Sequence, residues 1–419
     1  MKKLNRHLAG LLLILTVFGM ESCQDNPVTP SIDSNVITGV LSSDATWTAD
    51  KVYELSGRVI IGSGVTLTIE AGTIIKGQEG QGLNASVLMV ARGGKLNAVG
   101  TADKPIIMTS VLDDIKPGQT VGASLNEDAR GKWGGLVILG KAPISVSGAT
   151  EAQIEGVPAG VTEGLYGGND VADNSGTIKF VSIRHGGTVI EDGKEINGLT
   201  LGGVGNGTTI SDIEILANVD DGIEFFGGSV NVSNVLVAYQ GDDGLDVDQA
   251  YSGTIDGFYV VHGGDTDEGL EIDGPEGTDN VTGKFTIKNG TLKGNSAKAG
   301  DVSSLADFKS KAQGTVTNVI WTGYTAGKKI KIAANYGAGC TVGSTDAYSN
   351  LIVDELVFNT VQFTDYVIGV YSSTVANCST STAADQTAAE GKIISSTVSG
   401  VPAASVWSWT ASYALSLVN

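Results

Sequence analysis

Apolar and polar residues alternate in three near-copies of one phrase in the middle of the chain: DDGIEFF at 220–226, DDGLDVD at 242–248 and DEGLEID at 267–273. Their glycines, Gly222, Gly244 and Gly269, are 22 and 25 residues apart, and a weaker copy, NGLTLGG, sets Gly198 24 residues upstream. A spacing in this range with a fixed pattern predicts a solenoid, because no single repeat buries its apolar face alone. Alternation along a strand turns Ile223, Leu245 and Leu270 inward, followed by Phe225, Val247 and Ile272. Glu224, Asp246 and Glu271 then point outward below Thr200, and Asp248 and Asp273 do so beside Phe226. The same alternation places the four glycines outward, as a smooth strip flanked by Asn197, Asp221, Asp243 and Glu268.

Short apolar runs broken by glycine surround this block: VYEL, RVIIG, VTLTIEAGTIIKG, SVLMVARGGKLNAVG and PIIMTS. They predict many short strands. Two polar, glycine-rich segments, 113–131 and 148–176, are too long for turns and read as insertions, and such loops on a rigid scaffold often carry function. In the last third, SLADFKSKAQ at 304–313 is the best helix candidate, and the aromatic-rich end SVWSWTASYALSLVN reads as a cap over an open coil end. The boundaries are therefore 1–22 leader, 23–40 linker, 41–294 solenoid, and 295–419 its continuation with the cap.

The phrases LTIEAGTIIKG, LMVARGGKLNAVGTADKPIIMTS, KWGGLVILGKAPI and IKFVSIRHGGTVI resemble bacterial surface proteins of the pectin-lyase-like class. The resemblance spans roughly residues 50–290. It implies an all-β, right-handed, single-stranded parallel β-helix, and it does not specify an activity.

The leader has Lys2, Lys3 and Arg6 ahead of an apolar run from Leu8 to Met20, too short for a membrane span and suited to a secretory signal. The string SCQDNP after it resembles the signals of Bacteroidota surface lipoproteins. This implies lipidation of Cys23 and a place on the cell surface, at the outer membrane, held by the lipid alone. Met20 and Glu21 depart from the usual cleavage pattern, and ordinary secretory cleavage nearby is the alternative. Cys340 and Cys378 are left to pair or stay free.

The net charge is −20, and −22 once Lys2, Lys3, Arg6 and Glu21 are removed. Such a surface excludes nucleic-acid backbones as partners and attracts cations. Carboxylates stacked one coil apart, about 4.8 Å, repel by about 1 kcal/mol in water and 3–4 kcal/mol at an effective dielectric of 20. Raised proton affinity, splaying into water or a bound cation relieves this. The candidate metal ligands are Asp221, Glu224, Asp243, Asp246, Glu268 and Glu271. Ca²⁺ is the expected ion, since it accepts irregular all-oxygen shells. Asp248, Asp273 and His262 complete the candidate ligand-binding set. His185 and His262, in IRHGG and VVHGGD, lie 77 residues apart and are expected to be hydrogen-bonded turn residues rather than bases.

The leading expectation is non-catalytic binding of an extracellular polysaccharide or envelope component, or a structural role in the envelope. The alternative is a Ca²⁺-dependent polysaccharide lyase or another glycan-degrading enzyme. No Lys or Arg stands between Lys194 and Lys284, and this missing basic partner counts against catalysis.

Overall fold

Strand follows strand along the chain, and each pairs in parallel with the strand one coil away, as the repeat predicts. The computed structural model describes residues 34–155, 157, 160–188, 196–294, 304–336, 346–363, 366–371 and 383–401. The fold is a right-handed parallel β-helix. Coils begin at Ser34, inside the expected linker, where Ser34–Leu41 pairs with Val52–Ile61, and they run to Tyr366–Tyr371.

The core is a set of columns. Leu136, Leu199, Ile223, Leu245 and Leu270 stack in register. Ile138, Leu201, Phe225, Val247, Ile272, Phe308 and Ile332 form the next column. All of these are buried. Each such side chain contributes roughly 1.5–3 kcal/mol through burial, so the columns hold successive coils together. The glycine expectation is corrected here. A Cβ at Gly198, Gly222, Gly244 or Gly269 would meet Ile215, Val237, Val260 or Leu292 at 2.3–2.6 Å. These glycines sit at a corner just before the strand begins, where alternation does not apply, and they face the opposite wall of the core.

The opposite wall is made of longer strands, Thr209–Leu216, Asn231–Ala238, Thr254–Val261 and Phe285–Lys293, each bent in the middle. Asp212, Asn234 and Asn289 adopt φ of 54–57° at the bend, a conformation that Asn and Asp tolerate. Asn234 Nδ2 donates to Asp212 Oδ1 at 3.2 Å, tying one bend to the next.

Both insertions cover sheet surface. Residues 113–131 lie over this wall and over earlier coils: Val121 packs on a cluster with Leu216, Leu236 and Tyr239, and Ile115 packs with Val52, Ile74 and Ile107 of earlier strands. Arg184 is buried beneath them, donating to the Thr120 carbonyl at 2.7 Å and pairing with buried Glu214 at 3.3 Å. The other insertion forms a two-stranded antiparallel hairpin, Glu151–Gln153 with Leu165–Gly167, and packs Tyr166 against Val137, Leu139 and Phe226.

The segment expected as a helix, 304–313, instead supplies the strand Ala306–Phe308, one more coil. Its Asp307 and Phe308 continue the Glu271 and Ile272 columns, and stacking outweighs local helix propensity. At the C-terminal end lie helices Ala347–Ile352 and Ala383–Lys392. The aromatic end, the leader with Cys23, and Cys340 and Cys378 fall outside the described residues. Among the described residues no helix is long and apolar enough to cross a membrane.

Candidate functional site

One outward column of the short-strand sheet changes character along its length. It reads Ile60, Met89, Val137, Thr200, Glu224, Asp246, Glu271, Asp307 and Lys331, each paired with the next. The apolar part lies under the 148–176 insertion. The acidic part begins at Glu224, at the rim of that cover, where Glu155 and Tyr166 of the insertion still reach it. A parallel column continues from Phe226 through Asp248 to Asp273, whose N–H bonds the Val247 carbonyl.

A third column, Asn197, Asp221, Asp243, Glu268 and Ser304, sits at the corner and is buried, with exposures of 5%, 2% and 2% for the three acids. These acids were expected to flank a surface strip. They point instead along the stack: Asp221 Oδ1 accepts the Asp243 N–H at 2.9 Å, and Asp243 Oδ1 accepts the Glu268 N–H at 2.5 Å. Asn197 donates to Glu224, and Ser304 to Glu268. Backbone donors at the corner have no sheet partner of their own, so the carboxylates supply one.

Burial dominates the electrostatics. It pushes the carboxyls of Asp221, Glu224, Asp243 and Asp246 well above their ordinary range, helped by neighbouring acids: Asp220 for Asp221, Asp246 for Glu224, Asp221 for Asp243 and Asp248 for Asp246. Burial, with Asp273 and Glu276, raises Asp248 to about 8, and burial leads the shift of Asp273 to about 6. Asp221, Glu224, Asp243 and Glu268 are thus buried rather than splayed into water.

Two lysines temper the far end. Lys309 bonds Glu271 and lies 3.5 Å from Asp273. Lys331 bonds Glu268 and lies 3.5 Å from Asp307. For Glu268 burial acts upward, but the Lys331 and Ser304 bonds outweigh it and lower its pKa. The missing basic partner is thus corrected: cations reach the acids from later coils. The local sequence around 267–273 carries no sign of them.

The predicted ligands fall into two groups. The oxygens of Asp221, Glu224 and Asp246 lie within 4.8 Å of one another, and so do those of Asp243, Glu268 and Glu271; a further set joins Asp220, Asp221 and Asp242. Asp246 Oδ1 is buried and accepts no hydrogen bond. An all-oxygen donor set with a spare buried oxygen fits a hard divalent cation.

His185 and His262 occupy equivalent places, three coils apart, at the ends of the long strands, and His262 lies beside the Gly269 corner within reach of the Glu268 charge. His185 Nδ1 bonds the Ala129 carbonyl at 2.7 Å, and His262 Nε2 meets the Tyr324 hydroxyl at 2.9 Å. Both are buried, and burial lowers them to about 4 and about 3. They are turn residues, as expected, although Ala129 belongs to an insertion. Residues that the sequence did not single out also join the acidic face. Tyr166 donates to Gln249 Oε1 at 3.2 Å. Glu276 bonds Gln249, and the charge of Glu155 raises Glu224.

These features define a carboxylate-lined face on a parallel β-helix, and the chain belongs to the pectate-lyase-like β-helix domain family, whose model matches residues 39–414. No curated protein sequence matches it. Among solved structures it is similar to a pectin methylesterase from Aspergillus niger, at 10% identity and a TM-score of 0.30, covering 84% of this chain and 90% of that one. It is also similar to the catalytic unit of a GH87 α-1,3-glucanase from Streptomyces thermodiastaticus. That match has 12% identity and a TM-score of 0.31, and covers 79% of this chain and 61% of that one.

Proposed function

We propose that this protein is a lipid-anchored β-helix of the bacterial cell surface, of the Bacteroidota type. Its acidic face binds an extracellular polysaccharide or an envelope component with the help of a divalent cation, Ca²⁺ being the best match. The observation that carries the reading is the set Asp221, Glu224 and Asp246, mutually within 4.8 Å. Lys309 and Lys331 are committed to the opposite end of the columns. A cation at the first set would coordinate sugar hydroxyls or carboxylates alongside the protein oxygens. Calorimetric titration of the mature protein with Ca²⁺, followed by a glycan array with Ca²⁺ and with chelator, tests this. Absence of both Ca²⁺ heat and Ca²⁺-dependent glycan retention overturns it. The outer-membrane part rests on the string SCQDNP and is tested at Cys23: Cys23→Ser is expected to release the protein to the soluble fraction, and unchanged membrane partitioning refutes it.

A second reading, glycan cleavage, is favoured by one observation. Asp248 at about 8 and Asp273 at about 6 stand one coil apart beside Lys309. Two carboxyls with separated proton affinities can divide acid and base roles. A turnover screen that reads both new reducing ends and unsaturated products decides between the readings.

A further inference from the structure

The two ends of the solenoid are finished differently. At the C-terminal end the last strands are covered. Gln386 of helix Ala383–Lys392 donates to the Ile368 carbonyl and accepts the Val370 N–H. Ser396 donates its N–H to the Val361 carbonyl, and Gln362 accepts the Val398 N–H. The Ile368 carbonyl, the Val370 N–H and the Val361 carbonyl are thereby occupied. At the N-terminal end, Ser34–Leu41 pairs with Val52–Ile61 on one side, and Ala45–Trp47 with Thr66–Ile69. Among the described residues no strand pairs their other edges.

Natural proteins guard such edges with Lys, Pro or charge. The strand itself has none of them: Ser34 to Ser43, between Asp33 and Asp44, reads SNVITGVLSS, in a chain of net charge −20. Val36 is 57% exposed and Val40 50%. The apolar core behind is closed, because Trp47 and Tyr53 stack at 4.8 Å and both are buried. Among the described residues, what stands open is backbone and two valines. A cavity of about 410 Å³ opens beside them, lined by Val40, Leu41, Ser42, Ser63, Arg92 and Glu163 among others.

We infer that this edge is the contact surface for a second copy of the same chain, the two meeting N-terminal end to N-terminal end about a two-fold axis. Three features select that occupant. An edge of alternating N–H and C=O groups is complemented along its whole length by another extended strand, and a strand paired antiparallel with its own copy satisfies both. The strip is uncharged, so two molecules of the same strong negative charge meet where repulsion is least. The chain's own preceding segment, QDNPVTPSID, carries Pro27 and Pro30, each without a donor for a ladder. Because the C-terminal edge is covered, the isologous contact closes at a dimer rather than growing into a fibre.

The test uses the mature chain bearing Cys23→Ser, with mass measured by light scattering and sedimentation, in Ca²⁺ and in chelator. The expected particle contains two chains under both conditions. Val36→Lys with Val40→Lys halves the mass and leaves circular dichroism and melting unchanged. Should the double variant fail to fold, Val36→Lys alone, which alters one exposed side chain, is read the same way. A single-chain particle for the parent protein overturns the inference, as does a dimer that survives the lysines. A dimer lost in chelator overturns it too, because the contact would then be cation bridging of acidic faces.

Discussion

Asp221 Oδ1 receives the backbone N–H of Asp243 at 2.9 Å, across one coil, and both residues are buried. A carboxylate here is first a backbone acceptor, and its charge is a cost that burial and Asp220 increase. The two properties separate by mutation. Asp221→Asn keeps an acceptor and removes the charge, so without a divalent cation it should raise the melting temperature. Asp221→Ala strands a buried N–H and should destabilise by about 1–3 kcal/mol. Thermal unfolding in chelator checks both, and equal losses from the two variants would show that the charge matters and the acceptor does not.

The glycine corner makes an independent prediction. A Cβ at Gly222 would lie 2.4 Å from Val237, whereas one at Gly264 would meet nothing within 4 Å. Gly222→Ala should therefore cost about 1–3 kcal/mol through overpacking of a core that cannot yield. Gly264→Ala should change stability by less than about 0.5 kcal/mol. Denaturant midpoints give the comparison, and equal stability of the two variants would place Gly222 on the surface after all.

Much of this arrangement was legible from one recurring phrase. The register Ile223, Leu245, Leu270 and its acidic companion Glu224, Asp246, Glu271 follow from alternation, and the strands pair so. The direction of Gly222 was not legible, because the two-residue period holds only inside a strand and the glycine precedes it. Asp307 was hidden because its coil lacks the acid–glycine signature and its lysines suit a helix. Lys309 and Lys331 were hidden by distance: Lys309 is 36 residues beyond Asp273, so no local motif announces the contact. The burial of Glu224, at 8% exposure, was illegible for another reason. Where an insertion lies depends on three-dimensional packing that spacing does not encode.

pH should act in an unusual direction. Carboxyls whose proton affinity is raised by folding stabilise the native state when protonated, fully so below their unfolded values near 4, and that contribution fades as pH rises through the folded values. Those values are about 6 for Asp273 and about 8 for Asp248. In chelator the protein should therefore become steadily less stable between about pH 4 and pH 8. Asp248→Asn should flatten the upper half of that slope. Melting curves across this range check the sign, and stability that climbs toward pH 8 would mean the acids are paired with cations at every pH.

Calcium should oppose this loss at neutral pH. An ion that binds the native state alone adds RT ln(1 + [L]/Kd), about 2.7 kcal/mol at a hundredfold excess over Kd. The unmodified protein should melt higher in Ca²⁺ than in chelator, and the gap should widen from pH 5 to pH 8 as protons leave the site. Asp246→Asn, which replaces a buried oxygen that has no hydrogen-bond partner, should abolish the gap and raise stability in chelator. Lys331→Met acts on the other set, where the ammonium bonds Glu268. There the loss of an internal cation should weaken the fold in chelator and leave the response to calcium at the first set intact. If Asp246→Asn left the calcium response whole while Lys331→Met changed it, the ion would belong at Asp243, Glu268 and Glu271 instead. No difference between calcium and chelator in the parent protein at pH 8 would remove the cation from the mechanism altogether.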